Sequence, residues 1–384
     1  MTTIGIDLEQ FVRDPYATGI QRVLHQLAMN WPNDMALAEF VVPVGDRFGL
    51  LNSAQATELL AIAFTPREAE VDLRDHVNEY LINSVTTTVP LGDLLSIYDA
   101  WLLPEVSYLP RVFERLDVFH RCMRTTMIGY DTLPQTHPAN YRFVPGSAVW
   151  VSEYFRWLST IESVVCISEY AQTSILDRLR RDRTLATTVA HPGGDHLAIR
   201  AGNPPADGEP TRFVRVGTME ARKSPQEILA GFRAARAAGA NAELVFVGRA
   251  SSSDDAINDD IRLAIRQGLP VTWIEHAADE QVHDIINGGS AFLSIGIEGY
   301  GIPVLEAIRL GTPVLYDGIQ PAGDLMAGRG AQRVAAGGVD ELAQMFTHYS
   351  EPGALAGLRA DLTPGAVPTW GSFARGVVAA AQPL

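Results

Sequence analysis

The chain alternates short apolar runs with longer segments whose apolar positions recur at helical spacing, most clearly in its second half. The apolar runs predict strands at 213–216, 243–247, 271–274, 291–294 and 313–316. The segments between and after them predict helices at 226–238, 256–267, 279–286, from 303 onward and at 339–349. Strands separated by single helices are typical of a parallel sheet with right-handed crossovers. Ligands of such sheets bind at the carboxyl ends of the strands.

The first half shows a weaker version of the same alternation. It predicts strands at 4–6, 39–44, 96–103, 124–130, 163–167 and 185–190, with helices at 19–31, 53–63, 108–116, 151–158 and from 169 to about 181. Residues 65–95 give no clear pattern. The segment 201–210 is rich in Pro, Gly and Asp and predicts a linker between two α/β domains, 1–200 and 201–368. Residues 369–384 predict a final helix.

The stretch SIGIEGYGIPVLEAIRLG, residues 294–311, has the parts of an anion site. It leaves a predicted strand, passes through a turn with Gly299 and Gly301, and starts a helix at Pro303, a residue suited to the first helical position. Backbone N–H groups and the positive end of the helix dipole would face a ligand there.

Two carboxylates, Glu298 and Glu306, flank this turn. A phosphate does not favour carboxylates, but a nucleotide-sugar carries hydroxyl groups on both sides of its diphosphate, and carboxylates accept strong hydrogen bonds from diols. The alternative is a strand–helix junction with a solvated Glu298 and with Glu306 favouring the helix dipole.

A second candidate loop, VGTMEARKSP, follows the predicted strand 213–216 and contains Gly217, Arg222 and Lys223. Lys223 is the only lysine among 30 basic residues, and lysine is a compact charge suited to phosphate oxygens. The alternative is a solvated basic pair. Cations at a helix start oppose the helix dipole, and an anionic ligand would remove that conflict.

Composition and charge exclude several classes of function. The net charge is −15 and both halves of the chain are acidic, which argues against a nucleic-acid partner and against electrostatic docking to anionic lipid. The two cysteines have no metal or redox spacing, and no Asp-x-Asp metal motif is present. The amino-terminal residues do not resemble a signal peptide and no apolar run is long enough for a membrane span, so we expect a cytoplasmic protein.

The segment EGYGIPVLEAIRLGTPVL, residues 298–315, resembles the glutamate–seven–glutamate signature of the retaining glycosyltransferases of family 4, which have the GT-B fold. The resemblance implies an α/β protein with two Rossmann-like doubly wound domains facing each other across a cleft. Domain 1–200 would bind the acceptor, domain 201–368 would bind the nucleotide-sugar donor, and 369–384 would cross back to the first domain.

The resemblance also implies roles for single residues. Glu306 would hold the ribose diol and Glu298 would lie beside the donor sugar. The donor diphosphate would be bound by Arg222 and Lys223 and by the loops that hold Gly217, Gly299, Tyr300, Gly301 and Ile302. Gly19 would let the backbone approach the donor phosphate; the alternative is a glycine that only starts a helix.

The loop after the predicted strand 124–130 resembles the family segment that carries a histidine near the reacting sugar. Here Tyr130 stands in place of that histidine, while Asp131 matches the family aspartate. We expect Tyr130, Asp131 and the nearby His137 on the acceptor side, with either His120 or His137 as a candidate substitute for the missing imidazole. The alternative for Asp131 is an Asx-turn.

Together these features predict a hexosyltransferase of the EC 2.4 class. It would move a sugar from a GDP-, UDP- or dTDP-sugar to a hydroxyl of a glycan, lipid-linked or small-molecule acceptor, with Glu298, Lys223, Arg222 and Asp131 as catalytic residues. The resemblance implies no required cofactor and no metal. At most we expect peripheral contact with the inner membrane face, and a homodimer is left open. The alternatives are a sugar-nucleotide epimerase of the same fold and a degenerate nucleotide-sugar-binding protein.

Overall fold

The computed structural model describes residues 1–65, 72–141, 147–179, 186–251 and 254–383. The chain divides into two compact units. The first comprises Met1–Thr136, Phe143–Gly193 and Pro368–Leu384, and the second comprises His137–Arg142 and Gly194–Val367. Residues 194–200 therefore belong to the second unit, whereas the composition of the linker predicted that the second domain begins at residue 201.

The elements alternate between strand and helix along most of the chain. The strands are β1 (Thr3–Asp7), β2 (Leu37–Val44), β3 (Arg47–Leu51), β4 (Thr88–Val89), β5 (Ala100–Leu103), β6 (Arg124–Gly129), β7 (Ser163–Cys166), β8 (Ala186–Val189), β9 (Thr211–Val216), β10 (Ala242–Val247), β11 (Val271–Ile274), β12 (Ala291–Ile297), β13 (Val314–Ile319) and β14 (Ala331–Arg333). The helices are α1 (Glu9–Arg13), α2 (Gly19–Met29), α3 (Ser53–Ala61), α4 (Leu73–Ser84), α5 (Leu91–Ile97), α6 (Pro110–Phe119), α7 (Leu133–Thr136), α8 (Ser147–Thr160), α9 (Glu169–Arg178), α10 (Pro225–Ala237), α11 (Asp255–Arg266), α12 (Asp279–Asn287), α13 (Ile302–Arg309), α14 (Pro321–Leu325), α15 (Val339–Tyr349), α16 (Ala356–Ala360) and α17 (Trp370–Ala381).

The first unit is built on a sheet in the order β4-β3-β2-β1-β5-β6-β7-β8. Its strands are parallel except β3, which runs antiparallel to both β2 and β4. Strand β1 pairs with β2 on one side and with β5 on the other, so the strand order reverses between β1 and β5. The two central strands are buried on both faces, as a covered parallel sheet requires.

The last helix, α17, packs on the first unit. The carbonyl of Ala380 near its carboxyl end accepts hydrogen bonds from Nε of Arg124 at 3.0 Å and from Oγ of Ser163 at 3.1 Å. These donors satisfy a helix-terminal carbonyl that has no partner within the helix.

The second unit is built on a fully parallel sheet in the order β11-β10-β9-β12-β13-β14. This is the 3-2-1-4-5-6 order of a doubly wound nucleotide-binding fold, and the order reverses between β9 and β12. Its core is formed by aromatic and aliphatic side chains, with the ring of Phe346 packed edge-on against Phe213 and Phe232. The loops after β9 and β12 are therefore where a ligand is expected.

The sequence prediction of alternating elements is confirmed in the second unit and is wrong in part of the first. The predicted strand 96–103 is the end of α5 followed by β5, and the unreadable region 65–95 contains α4 and β4. Strand β3 was missed because five residues around Gly49 give little period-two signal. The predicted end of α9 near 181 and the predicted start of β8 at 185 lie outside the described residues.

The carboxyl ends of β9 and β12 are held together by glycines. Gly296 in β12 has φ +103°, and a Cβ there would stand 2.9 Å from Cα of Lys223 and still closer to the carbonyl oxygen of Arg222. Only glycine combines this backbone angle with so close an approach. Gly296 thus lets the loop after β9 lie directly on β12.

No helix among the described residues is both long enough and apolar enough to span a membrane.

We predict that Gly296→Ala destabilises the second unit by more than about 3 kcal/mol, because the methyl group adds a backbone clash to an unfavourable φ. Gly239→Ala is the matched control. Its φ is +98°, but a Cβ there would meet no atom within 4 Å, so only the backbone term of about 1 kcal/mol applies. Urea unfolding of both variants measures the difference, and equal losses would contradict the packing role of Gly296.

Candidate functional site

Three of the predicted donor-site residues meet where the strand order of the second unit reverses. Arg222 and Lys223 lie in a short 3₁₀ turn, Ala221–Lys223, in the loop after β9. Glu298 directly follows β12. The parallel pairing of β12 with β9 brings these loops together although they are about 75 residues apart in the chain.

Glu298 bridges both cations. Its Oε1 lies 2.7 Å from Nζ of Lys223, and its Oε2 lies 2.9 Å from Nη1 of Arg222. The same Nη1 donates to the carbonyl of Ile297 at 2.8 Å, and Nε of Arg222 lies 2.7 Å from a carboxylate oxygen of Glu220. The three central side chains are 12–22% exposed, so the cluster is largely withdrawn from water but still reachable.

The charges of Glu298, Lys223 and Arg222 shift one another's pKa values. Burial by itself would raise the pKa of Glu298, but Lys223 and Arg222 outweigh it and hold the pKa at about 2. Burial lowers the pKa of Lys223, and the neighbouring Arg222 and Arg215 lower it further against the attraction of Glu298. Burial also lowers the pKa of Arg222, but Glu298 and Glu220 outweigh that effect and raise it. Positive charge is therefore crowded at this point.

The turn into α13 presents backbone donors beside the same cluster. Gly301 is the N-cap of α13 with φ +103°, and Pro303 occupies the first turn. Within the described residues, the amide groups of Gly299, Gly301 and Ile302 have no hydrogen-bond acceptor. Tyr300 is buried, and its carbonyl accepts from the amide of Ala322 at 2.9 Å. Unpaired amides at a helix amino terminus are suited to an anion.

Glu306 lies in α13 and is only 7% exposed. Its Oε1 lies 3.1 Å from Nε2 of His196. His196 follows the glycine turn at 193–194, and sequence analysis missed it because a single histidine in a loop carries no motif. The contact fixes the direction of the Glu306 carboxylate.

Gly217 also belongs to this cluster. Its φ is +129°, and a Cβ there would stand 2.7 Å from Nζ of Lys223. A side chain at 217 would therefore displace the lysine.

A second residue that sequence analysis missed is Arg215 in β9, which is 3% exposed. Its Nη1 donates to the carbonyl of Gly217 at 3.1 Å and its Nη2 donates to the carbonyl of Lys223 at 3.3 Å. Burial lowers the pKa of this guanidinium to about 10. In the sequence, an arginine inside a strand looks like an ordinary polar position. Only the structure shows that its guanidinium is buried beside Gly217 and Lys223.

Gly19 is the first residue of α2 in the first unit, and Thr18 caps this helix by accepting from the amide of Gln21. A Cβ at Gly19 would meet no atom within 4 Å. Nothing in the described packing therefore requires glycine there, and its role toward a phosphate stays a prediction.

The predicted acceptor-side residues are divided between the two units. Tyr130 is buried in the first unit, where its hydroxyl donates to the carbonyl of Pro104 at 2.7 Å. Oδ1 of Asp131 accepts from the amide of Leu133 at 2.8 Å, which is the Asx-turn that the sequence left open. His137 belongs to the second unit. These contacts are structural, and the three acceptor roles stay predictions.

The first unit also holds a buried carboxyl group that the sequence did not single out. Glu105 follows β5 at the point where the strand order of this sheet reverses, and it is 3% exposed. Its Oε2 is buried and has no hydrogen-bond partner among the residues that the structure describes. Burial, with a contribution from the charge of Asp7, raises the pKa of Glu105 to about 8 against the hydrogen bond from Gln21.

Known proteins resemble this chain both in sequence and in fold. A curated relative, the serotype-specific mannosyltransferase WbdA of Escherichia coli, is 31% identical over 346 residues, which cover 81% of this chain and 38% of WbdA. The Anabaena protein Alr3699/HepE, solved with UDP and glucose, has a TM-score of 0.60 at 14% identity and covers 99% of this chain and 96% of its own. WaaG, a glycosyltransferase involved in lipopolysaccharide biosynthesis, has a TM-score of 0.61 at 14% identity and covers 98% of both chains.

The chain has the GT-B fold. The two α/β sheets and the agreement with the solved structures of HepE and the glycosyltransferase WaaG over nearly the whole chain confirm the fold that the sequence predicted. No family model matches the chain. This GT-B chain spans about two fifths of the length of the curated relative WbdA. The proteins compared are transferases, so they give no support to an epimerase.

We predict that Glu105→Gln changes the pH dependence of stability of the GT-B chain. The folded carboxyl has a pKa of about 8 and the unfolded one has an ordinary value, so the wild type loses stability as pH rises from about 4.5 to about 8. The amide does not titrate. We expect the free energy of unfolding of Glu105→Gln, relative to wild type, to rise by about 3 kcal/mol between about pH 5.5 and pH 8.5.

Chemical unfolding at these two pH values measures the change. Glu114→Gln is the control, because Glu114 is an exposed carboxylate on α6. The prediction is wrong if the difference in free energy of unfolding between Glu105→Gln and wild type does not change with pH. That result would show that the carboxyl group of Glu105 is ionised in the folded protein.

Proposed function

We propose that this protein is a retaining glycosyltransferase that moves a sugar from a nucleotide-sugar to a hydroxyl acceptor in glycan, glycolipid or natural-product biosynthesis. The observation that carries the proposal is the meeting of Lys223, Arg222 and Glu298 at the strand-order reversal of a doubly wound sheet. Beside them lie amides at the start of α13 that have no acceptor in the described part of the chain. The two cations, the amides and a carboxylate together match the charges and hydroxyl groups of a nucleotide-sugar.

In this proposal the diphosphate binds between the loop that holds Arg222 and Lys223 and the amino terminus of α13. The amides of Gly299, Gly301 and Ile302 supply hydrogen bonds and the adjacent cations supply charge. Gly217 keeps the space beside the lysine clear. Glu306, oriented by His196, accepts hydrogen bonds from the ribose diol.

The chemistry follows from the charge that develops as the donor breaks. When the bond between the sugar and the diphosphate lengthens, negative charge grows on the leaving oxygen, and Lys223 and Arg222 are already in place to stabilise it. The acceptor hydroxyl forms the new bond on the same face of the sugar, and its proton passes to the leaving phosphate. Glu298 then serves to orient the cations and the sugar.

The relatives suggest candidate substrates. WbdA is named a mannosyltransferase, which makes mannose one candidate sugar, and HepE was solved with UDP and glucose, which makes UDP-glucose another. GDP-, UDP- and dTDP-sugars are therefore the donors to test. The acceptor would be a hydroxyl-bearing glycan, a lipid-linked sugar or a small molecule, bound by the first unit with Asp131, and contact with a membrane surface would be peripheral.

We predict that one nucleoside diphosphate among GDP, UDP, ADP and dTDP raises the melting temperature of the wild type. A ligand at one hundred times its Kd adds about 2.7 kcal/mol to the free energy of unfolding. Lys223→Ala should abolish the shift, because the variant loses the compact cation next to Gly217. Thermal unfolding with and without each nucleotide measures both effects.

The control is Arg233→Ala, which removes an exposed cation on α10 whose partner is Gln267. It should keep the wild-type shift. No shift with any of the four diphosphates in a folded wild type would refute the donor site. A shift that survives in Lys223→Ala would place the nucleotide elsewhere.

A further inference from the structure

The two buried arginines of the described chain are in opposite electrostatic situations. Arg115 in the first unit is 4% exposed and lies 2.5 Å from Asp7 and 2.9 Å from Glu9. Burial lowers its pKa, but these two carboxylates outweigh burial and raise it. Arg115 is thus a buried charge that is fully compensated, as buried charges usually are.

Arg215 in the second unit is equally buried but makes no ion pair within 4 Å among the residues that the structure describes. Both of its hydrogen bonds go to carbonyl oxygens, those of Gly217 and Lys223. A buried guanidinium without a carboxylate is costly. A ligand that supplies negative charge would reduce this cost.

The residues around Arg215 include more cations than carboxylates. Nζ of Lys223 lies 2.7 Å, and Nη1 of Arg215 lies 3.7 Å, from the point where a Cβ of Gly217 would stand. Two cationic groups therefore flank one glycine. Glu298 is already paired with both Lys223 and Arg222, and Glu220 is paired with Arg222, so three cations face two carboxylates.

We infer that Arg215 is a positioning residue that makes this site select a diphosphate over a monophosphate. Hydrogen bonds to two carbonyls of the loop 217–223 hold its guanidinium in place, and its charge adds to that of Lys223 and Arg222 without touching the ligand. Each further negative charge on the ligand gains from this third cation. The inference rests on the proposed nucleotide-sugar site.

The test compares affinities for a nucleoside, its monophosphate and its diphosphate, in whichever of the uridine, guanosine, adenosine and thymidine series has a diphosphate that the wild type binds. Calorimetry at about pH 7 gives Kd for the wild type, Arg215→Met and Arg215→Lys. For Arg215→Met we expect a loss of at least about tenfold for the diphosphate, about threefold for the monophosphate and none for the nucleoside. Arg215→Lys keeps the charge and should keep the wild-type preference for diphosphate.

Arg212→Met is the matched control. Arg212 lies at the other end of the same strand, where it contacts Glu243 and the carbonyl of Gly288. Its variant should bind all three ligands as the wild type does. Thermal unfolding without ligand identifies any variant that is not folded, and Arg215→Gln replaces Arg215→Met if that variant is unstable.

The outcomes separate the inference from the proposed function. An unchanged ratio of diphosphate to monophosphate affinity in the neutral variant would overturn the role of Arg215. An equal loss in Arg215→Lys would also overturn it, since the effect would then come from loop geometry and not from charge. If the wild type binds none of UDP, GDP, ADP and dTDP, the proposed nucleotide site fails instead.

Discussion

The ion pairs of Glu298 with Lys223 and Arg222 are the interaction on which the second unit's site depends. Buried or half-buried charges are tolerated only when they are paired, and here one carboxylate satisfies two cations from a distant loop. The pairing is available because β9 and β12 are neighbours at the strand-order reversal, so their following loops open at the same edge. Among the described residues, the neighbouring amides of Gly299, Gly301 and Ile302 have no acceptor. The fold thereby brings cations and free amide donors together at one edge of the sheet.

Glycine is the second constraint, because the two loops touch at the backbone level. At Gly296 the carbonyl group of Arg222 occupies the space that a Cβ would need. Gly217 likewise leaves room for the ammonium group of Lys223. Each of these positions therefore helps to fix the location of a cation. Packing and electrostatics are inseparable at this edge, since a methyl group at either glycine would move the charge that the neighbouring carboxylate stabilises.

Three buried ionisable side chains of this protein have different electrostatic surroundings. Arg115 is compensated by two carboxylates, which stabilises the first unit at the end of β1. Glu105 has a pKa raised to about 8, so it is largely uncharged at neutral pH. Arg215 makes no ion pair with a described carboxylate, although the charge of Glu298 partly offsets the effect of burial on its pKa. An anion bound as we propose would stabilise this guanidinium.

The sequence by itself determined the parallel α/β character of the second unit, the GT-B resemblance and the candidate residues Glu298, Glu306, Arg222 and Lys223. It could do so because helical and strand periodicities are local, and because a strand–glycine–helix motif places its residues within one short segment. The antiparallel β3 and the surroundings of Arg215, His196 and Glu105 were decided only by the tertiary structure. Those features depend on strand pairing, burial and contacts between residues that are far apart in the chain. No local sequence pattern encodes such contacts.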